Sequence, residues 1–392
     1  VVVNLSSPVL PALDRIHQND VALQSLLVQC RQASLGLLTN HTGSTREGNS
    51  ALEVLQAQNC RVQTLFSPEH GPQGTLEGNI ESSRSEEGLP IYSLYGATRR
   101  PTAEMLDGLD IFVCDLQDVG ARFYTYASTL AYAMEECATR GIKVLVLDRP
   151  NPLGDLVEGP LLEAEHRSFV GYFDIPICHG MTMGELALWH RKHAKLDLDL
   201  EIVEVANWQR TTKWPTTQLP WRVPSPNLPD YHAAAWYPGT CLLEFSKISV
   251  GRGTVAPFQI IGAPWLESHK VLDAIQKWPA ELRTMYQAEA IEFVPTRATF
   301  EGETCRGLHF STPENDNVPS QPVALGLALL ATLHATHPQE FDDAQLQKSR
   351  LLLASSRVTN ILQQGDIEAA WQIARNDAQE FRTQRQPFLL YS

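Results

Sequence analysis

Arg61-Val62-Gln63-Thr64-Leu65-Phe66-Ser67-Pro68-Glu69-His70-Gly71 is the stretch on which the fold turns. It alternates and then runs apolar, with Val62 and Phe66 suited to a buried strand, until Pro68 and Gly71 break it. Glu69 and His70 are therefore expected on the turn leaving the strand's carboxyl end, where open α/β sheets hold their ligands. A carboxyl beside an imidazole on a rigid turn suits acid–base chemistry. The same glutamate would equally serve to cap the next segment.

Upstream of this stretch, Ser34 to Thr39 is a short apolar run closed by Asn40-His41-Thr42-Gly43. Downstream, Gly71 to Pro90 has no periodicity, and Ile91 to Tyr95 reads as a short strand. Asp110 to Leu116 and Ile142 to Leu147 are further strand-like runs, separated by a helical pattern from Tyr126 to Arg140. Strands alternating with helices predict a parallel, doubly wound α/β sheet. Asn40 and His41, Glu69 and His70, Asp115 and Asp118, and Asp148, Arg149 and Asn151 follow the ends of four such strands. Parallel strands point the same way, so these groups are expected to meet on one rim around a binding cleft. Arg149 would equally form an ordinary ion pair with Asp148 in a linker.

A chain of 392 residues suits two domains. The twice-broken turn Asp148-Arg149-Pro150-Asn151-Pro152 marks the exit from the first, which divides the chain into residues 1–155 and 156–392. Just beyond it, Glu158 is again an acid held between breakers. His179 precedes a helix opened by Thr182 and Glu185, a capping-box pair. Residues 214–238 are rich in Pro and Trp, which suits either aromatic plates for a sugar ring or a packed seam between domains. Gly251-Arg252-Gly253-Thr254-Val255-Ala256 fits a dinucleotide pattern, but Pro257 follows at once and no helix opens there. Arg252 is better placed as a cation approaching a ligand, or as part of a strand-end bulge.

The net charge of −14 argues against nucleic acid or an anionic membrane as main partner. No apolar run approaches the roughly 20 residues that span a bilayer. Seven cysteines without CxxC spacing make a poor disulfide framework and a poor zinc site. There is no G-x-S-x-G elbow, H-E-x-x-H or P-loop, so esterase, zinc-protease and nucleotide-hydrolase chemistry lack their machinery. Carboxylates, imidazoles and guanidiniums on one rim, with aromatic plates nearby, are the equipment of glycoside hydrolysis or of sugar binding.

Several motifs in order carry a resemblance. They are Gly36-Leu37-Leu38-Thr39-Asn40-His41-Thr42-Gly43, Phe66-Ser67-Pro68-Glu69-His70-Gly71, Tyr92-Ser93-Leu94-Tyr95-Gly96 and Asp115-Leu116-Gln117-Asp118-Val119-Gly120. Arg122-Phe123-Tyr124-Thr125-Tyr126, Asp148-Arg149-Pro150-Asn151-Pro152, His179-Gly180-Met181-Thr182, Pro224-Ser225-Pro226-Asn227 and Gly251-Arg252-Gly253-Thr254 continue it. From about Leu35 onward the chain resembles the exo-acting β-N-acetylmuramidases of the NamZ type, a peptidoglycan hexosaminidase family once catalogued as a domain of unknown function. The resemblance implies a Rossmann-like first domain, a second α/β domain and a cleft between them. It also implies release of N-acetylmuramic acid from the non-reducing ends of peptidoglycan fragments. Phe245-Ser246-Lys247 departs from the Gly-Thr-Asn of many relatives.

On this basis Glu69 is expected to be the general acid, with His70 orienting it. A free glutamate, with a pKa of about 4.3, needs burial or a neighbouring carboxylate to keep its proton at neutral pH. Asp118 and Glu158 are the candidates for that neighbour and for the second catalytic carboxyl. The sugar's own 2-acetamido oxygen is the alternative nucleophile. Arg122 and Arg252 are expected to meet the lactyl carboxylate of muramic acid, since guanidinium matches carboxylate in bidentate fashion. Asn40, His41, Asp115, Tyr124, Arg149, Asn151, His179 and Asn227 complete the expected substrate-binding set. No cofactor and no metal are expected; a metal-dependent hydrolase built on His41, His70 and Asp115 is a weaker reading. A non-catalytic periplasmic binder of muramyl sugars is the competing one. The expected location is periplasmic or secreted, although no leader is visible, and a cytoplasmic one stays open.

Overall fold

The computed structural model describes residues 7–314 and 316–392. Seven strands form the first sheet: β1 (Ser34–Thr39), β2 (Arg61–Ser67), β3 (Ser83–Arg84), β4 (Pro90–Ser93), β5 (Ile111–Asp115), β6 (Lys143–Leu147) and β7 (Leu200–Val203). Their order is β3-β4-β2-β1-β5-β6-β7. Only the two-residue β3 runs antiparallel; the other pairs are parallel. The parallel strands follow the Rossmann order, whose topological switch point lies between β1 and β5.

Strand composition explains the layering. β5 is buried throughout and β1 almost so, as expected of parallel strands covered by helices on both faces. Side chains alternate across the sheet: Leu35, Leu37, Val113, Leu145 and Leu147 pack under helices Ala12–His17, Gln24–Gln32 and Ala51–Ala57. Leu38, Phe112, Cys114, Val144 and Val146 face the other way, toward helices Tyr126–Ala138 and Met183–His193.

One expectation about organisation is corrected. The first domain does not end at residue 155, because β7 pairs with β6 and closes the sheet edge. The second apolar layer also runs without a break into the second domain, through Trp236, Leu308, Leu329, Phe341 and Trp371. The second domain holds an antiparallel sheet, β8 (Ile260–Ala263), β9 (Gln287–Phe293) and β10 (Cys305–Ser311), in the order β8-β10-β9. Helix Pro322–Thr336 is apolar on every side and lies at its centre, buried continuously from Pro322 to Leu333. It crosses helix Tyr231–Thr240 so closely that a Cβ on Gly239 would stand 1.9 Å from the Pro322 carbonyl oxygen. The predicted cap at Thr182 forms, and Thr102 and Asp366 likewise accept a backbone N–H of their own first turn. Among the described residues no helix is long and apolar enough to cross a membrane.

Candidate active site

The turn after β2 has the predicted geometry. The Gly71 N–H donates to the Pro68 carbonyl at 3.1 Å, and His70 and Gly71 both take positive φ, 69° and 71°. Glu69 is left half-buried on this turn. Thr125, the N-cap residue of helix Tyr126–Ala138, makes no side-chain cap; its hydroxyl donates instead to Glu69 Oε2 at 2.6 Å. One carboxylate oxygen is thus fixed by a buried hydroxyl and the other is left over. His70 Nδ1 lies 2.9 Å from the Leu76 carbonyl and must donate to it, which leaves Nε2 as the other ring nitrogen.

Glu69 and His70 stand on the wall of a cavity of about 330 Å³, within the common size range of small-molecule sites. Tyr124, Asn227 and Arg252 line the same cavity, so five of the expected residues meet there. Tyr95, Phe123, Tyr237, Phe245 and Phe258 supply its aromatic walls. Two further carboxylates, Glu77 and Glu244, face it as well. Glu244 pairs with Arg252, and Glu77 accepts from Asn227 Nδ2 at 3.3 Å. Among the described residues, Asn227 Oδ1 and Arg252 Nε are buried without a partner. Burial, and after it the Glu69 charge, hold the Tyr95 hydroxyl protonated well beyond the ordinary phenol range.

Asn40 and His41 act one step back. Asn40 Nδ2 donates to the Tyr126 hydroxyl at 2.7 Å, and that hydroxyl and the one on Tyr124 both donate to the Pro224 carbonyl, at 3.0 and 2.8 Å. His41 Nε2 donates to the Val223 carbonyl at 2.7 Å, and burial holds the ring below the usual imidazole range, in the neutral form. Together they clamp the Pro-rich loop beside the cavity. His41 also packs on Gly74, where φ is +69° and an added Cβ would meet the ring at 1.9 Å. The loop over Glu69 therefore needs glycine at this position.

The other expected residues lie outside the cavity wall. Asp118 Oδ2 accepts from the Gly120 N–H at 2.7 Å and faces His179 Nε2 at 3.6 Å. His179 Nδ1 accepts from the Met181 N–H, so Nε2 carries the ring proton toward Asp118. Asp115 and Arg149 form a buried bidentate pair, with Nη2 to Oδ2 at 2.9 Å. Asn151 spends its side chain on the Met181 carbonyl and the Leu153 N–H. At the switch point itself, Trp214, Trp221, Arg149 and Gln117 leave only about 20 Å³, room for about one water. The crevice that holds a dinucleotide in Rossmann enzymes is filled, and the tryptophans belong to this seam rather than to sugar plates.

Arg122 and Glu158 are the clearest corrections. Arg122 is 1% exposed, and its guanidinium donates to the carbonyls of Pro160, Ile175, Leu352 and Leu353. Burial pulls its pKa down to about 9. Glu158 accepts the Val323 and Ala324 N–H groups at the start of helix Pro322–Thr336, at 2.9 and 2.8 Å. Burial pushes its pKa up to about 8, against the pull of those two donors. Both side chains staple the domains together, and neither faces the cavity. A metal set on His41, His70 and Asp115 is not assembled either. Among the described residues the one group of three ligating side chains within 4.8 Å is Glu163, Glu165 and His166.

Of the residues missed, Tyr95 follows the carboxyl end of β4 and was open to the same strand-end rule that selected Glu69. Glu77 lies in the aperiodic segment after Gly71, and Glu244 follows a short helical turn, so neither carried a local signal.

A Rossmann-ordered sheet whose nucleotide crevice is plugged, and whose carboxylate-bearing cavity opens instead beside β2 against a second α/β domain, defines an unusual class of protein. Residues 35–232 match the family model described as exo-beta-N-acetylmuramidase NamZ, N-terminal, and residues 235–391 match its C-terminal counterpart. The peptidoglycan beta-N-acetylmuramidase NamZ of Bacillus subtilis (strain 168) is 36% identical over 378 residues, 95% of this chain and 90% of the relative. Two crystal structures of DUF1343 family proteins from Bacteroides fragilis NCTC 9343 superpose with TM-scores of 0.85 and 0.77, at 30% and 29% identity. Each comparison covers 98% of this chain and 99% of the other. The chain belongs to the exo-β-N-acetylmuramidase NamZ family, and is by family a glycosidase.

Proposed function

We propose that the protein releases N-acetylmuramic acid from the non-reducing ends of peptidoglycan fragments, with Glu69 as the general acid. The observation that carries this reading is the Glu69 carboxylate, held by the Thr125 hydroxyl on the wall of a sugar-sized cavity that also presents Arg252. Glu69 delivers its proton to the glycosidic oxygen as the bond to the muramyl carbon breaks. The carboxylates left to position water, or the sugar's 2-acetamido group, are Glu77 and Glu244, in place of Asp118 and Glu158. Arg252 meets the lactyl carboxylate, supplying a local cation in a chain of net charge −14. The expected setting is the periplasm or outside the cell, where peptidoglycan fragments arise.

Incubation with a muramyl disaccharide whose muramic acid is at the non-reducing end should release both free sugars. Glu69→Gln should lower turnover of a chromogenic muramide by about 10³-fold with little change in substrate affinity. Wild-type-like turnover in that variant removes Glu69 from the mechanism. Binding of the disaccharide by the wild-type protein with no release of sugar favours the binding-protein reading instead.

A further inference from the structure

Phe245 belongs to two cavities at once. It lines the one that holds Glu69, and it borders a second, of about 510 Å³, whose other walls are His166, Gln347, Lys348, Arg350 and Leu351. Its ring is 45% exposed and Leu351 is 42% exposed, so apolar area is left open where the two spaces join. No acidic side chain lines the second cavity. Lys348 Nζ reaches only Gln345 Oε1, at 3.3 Å, and Arg350 Nη2 only Asn360 Oδ1, at 2.8 Å. Among the described residues neither cation has a carboxylate within 4.0 Å. His166 is different, bonded to Ser356 and standing 4.0 Å from Glu163. Gln347 Oε1 and Arg350 Nε are buried atoms with no partner among the described residues. Two uncompensated cations beside the catalytic cavity run against the charge of the chain as a whole.

We propose that this shelf is an acceptor-side subsite for a carboxylate-bearing leaving group, with Phe245 as the apolar step over which the glycan passes. The proposal rests on the muramidase reading above, because a glycan whose terminal sugar fills the Glu69 cavity must extend past its rim. The anion has two sources in peptidoglycan: the lactyl carboxylate of the next muramyl residue, or the carboxylates of a peptide stem attached to it.

The test compares wild type with a Lys348→Ala/Arg350→Ala double variant on four substrates. They are a muramide with an uncharged aryl leaving group, a muramyl disaccharide, a tetrasaccharide of two such repeats, and that tetrasaccharide with a stem on its internal muramyl residue. The variant should match wild type on the first two. KM should rise about tenfold on a substrate whose leaving group carries the carboxylate, with the difference shrinking at high salt. A rise already present without the stem assigns the lactyl group; a rise that needs the stem assigns the peptide. Equal KM values for variant and wild type on both tetrasaccharides overturn the shelf while leaving the muramidase reading intact. Equal losses on the aryl muramide also overturn it, since they indicate a structural role. Failure of wild type to cleave the aryl muramide and the disaccharide overturns the muramidase reading, and the shelf with it.

Discussion

The turn after β2 and the seam held by Arg122 and Glu158 look alike in the sequence, each a charged residue close to Pro or Gly, yet they do opposite work. At the turn, Glu69 has one oxygen tied to Thr125, while Asn227 Oδ1 and Arg252 Nε nearby have no partner among the described residues. At the seam the side chains are committed to backbone groups, although among the described residues Arg122 Nε, like Arg252 Nε, has no partner. Glu158 meets the positive end of helix Pro322–Thr336, and Arg122 meets carbonyls at the end of helix Arg350–Leu353. Helix ends buried at a domain junction demand such partners, because an orphaned backbone group there costs about 1–3 kcal/mol. A side chain committed to buried backbone groups holds the fold; one that lines a cavity, as Arg252 does beside Glu244, stands where a ligand can reach it.

The contrast can be broken in several ways. Largest is the loss for Glu69→Gln, about 4 kcal/mol on the barrier, which corresponds to the 10³-fold drop above. Urea denaturation should show that variant as stable as wild type, and a large stability loss would move Glu69 into the class of staples. Arg122→Met should do the reverse, lowering unfolding free energy by about 3 kcal/mol through the carbonyls it strands, while the folded fraction keeps its turnover number. Arg252→Ala should cost about 2 kcal/mol in kcat/KM on a muramide and far less on the matching N-acetylglucosaminide, which lacks the lactyl carboxylate. Equal losses on the two would reject the carboxylate contact.

The smallest effect sharpens the seam. The Glu158 pKa is raised from 4.5 to about 8, so the folded protein holds a proton that the unfolded chain releases. The stabilisation is complete below pH 4.5 and is lost as pH rises through 8. Asp148, raised to about 6 by burial, acts in the same direction. Melting temperature should therefore fall between pH 5 and 9. Glu158→Gln should flatten that slope over the range. An unchanged slope would show that Glu158 is ionised throughout.

Much of the first domain was legible because its signals are local. β1, β2, β5 and β6 are short apolar runs bounded by breakers, and the cap at Thr182 depends on a residue three positions away. The strand-end rule found Glu69, His70 and the clamp residues Asn40 and His41, whereas Tyr124 came only from the resemblance. It also selected Asp115, Arg149 and Asn151, which sit at strand ends but turn inward to one another or to backbone. β7 was missed, and with it the true extent of the first sheet, because Leu200–Val203 is too short to stand out from its surroundings.

By itself the sequence determined the α/β alternation, the rigid Pro68–Gly71 turn and the presence of Glu69 upon it, since each depends on periodicity or backbone restriction within a few residues. The tertiary structure alone decided which charges face open space. Arg252 rather than Arg122 lines the cavity, Glu77 and Glu244 rather than Asp118 and Glu158 stand with Glu69 on its wall, and the tryptophans fill the switch point. These outcomes depend on partners more than 100 residues away, such as the Leu352 carbonyl for Arg122 and the Val323 N–H for Glu158. Long-range satisfaction of polar groups, which leaves no periodic trace in the chain, is the physical reason.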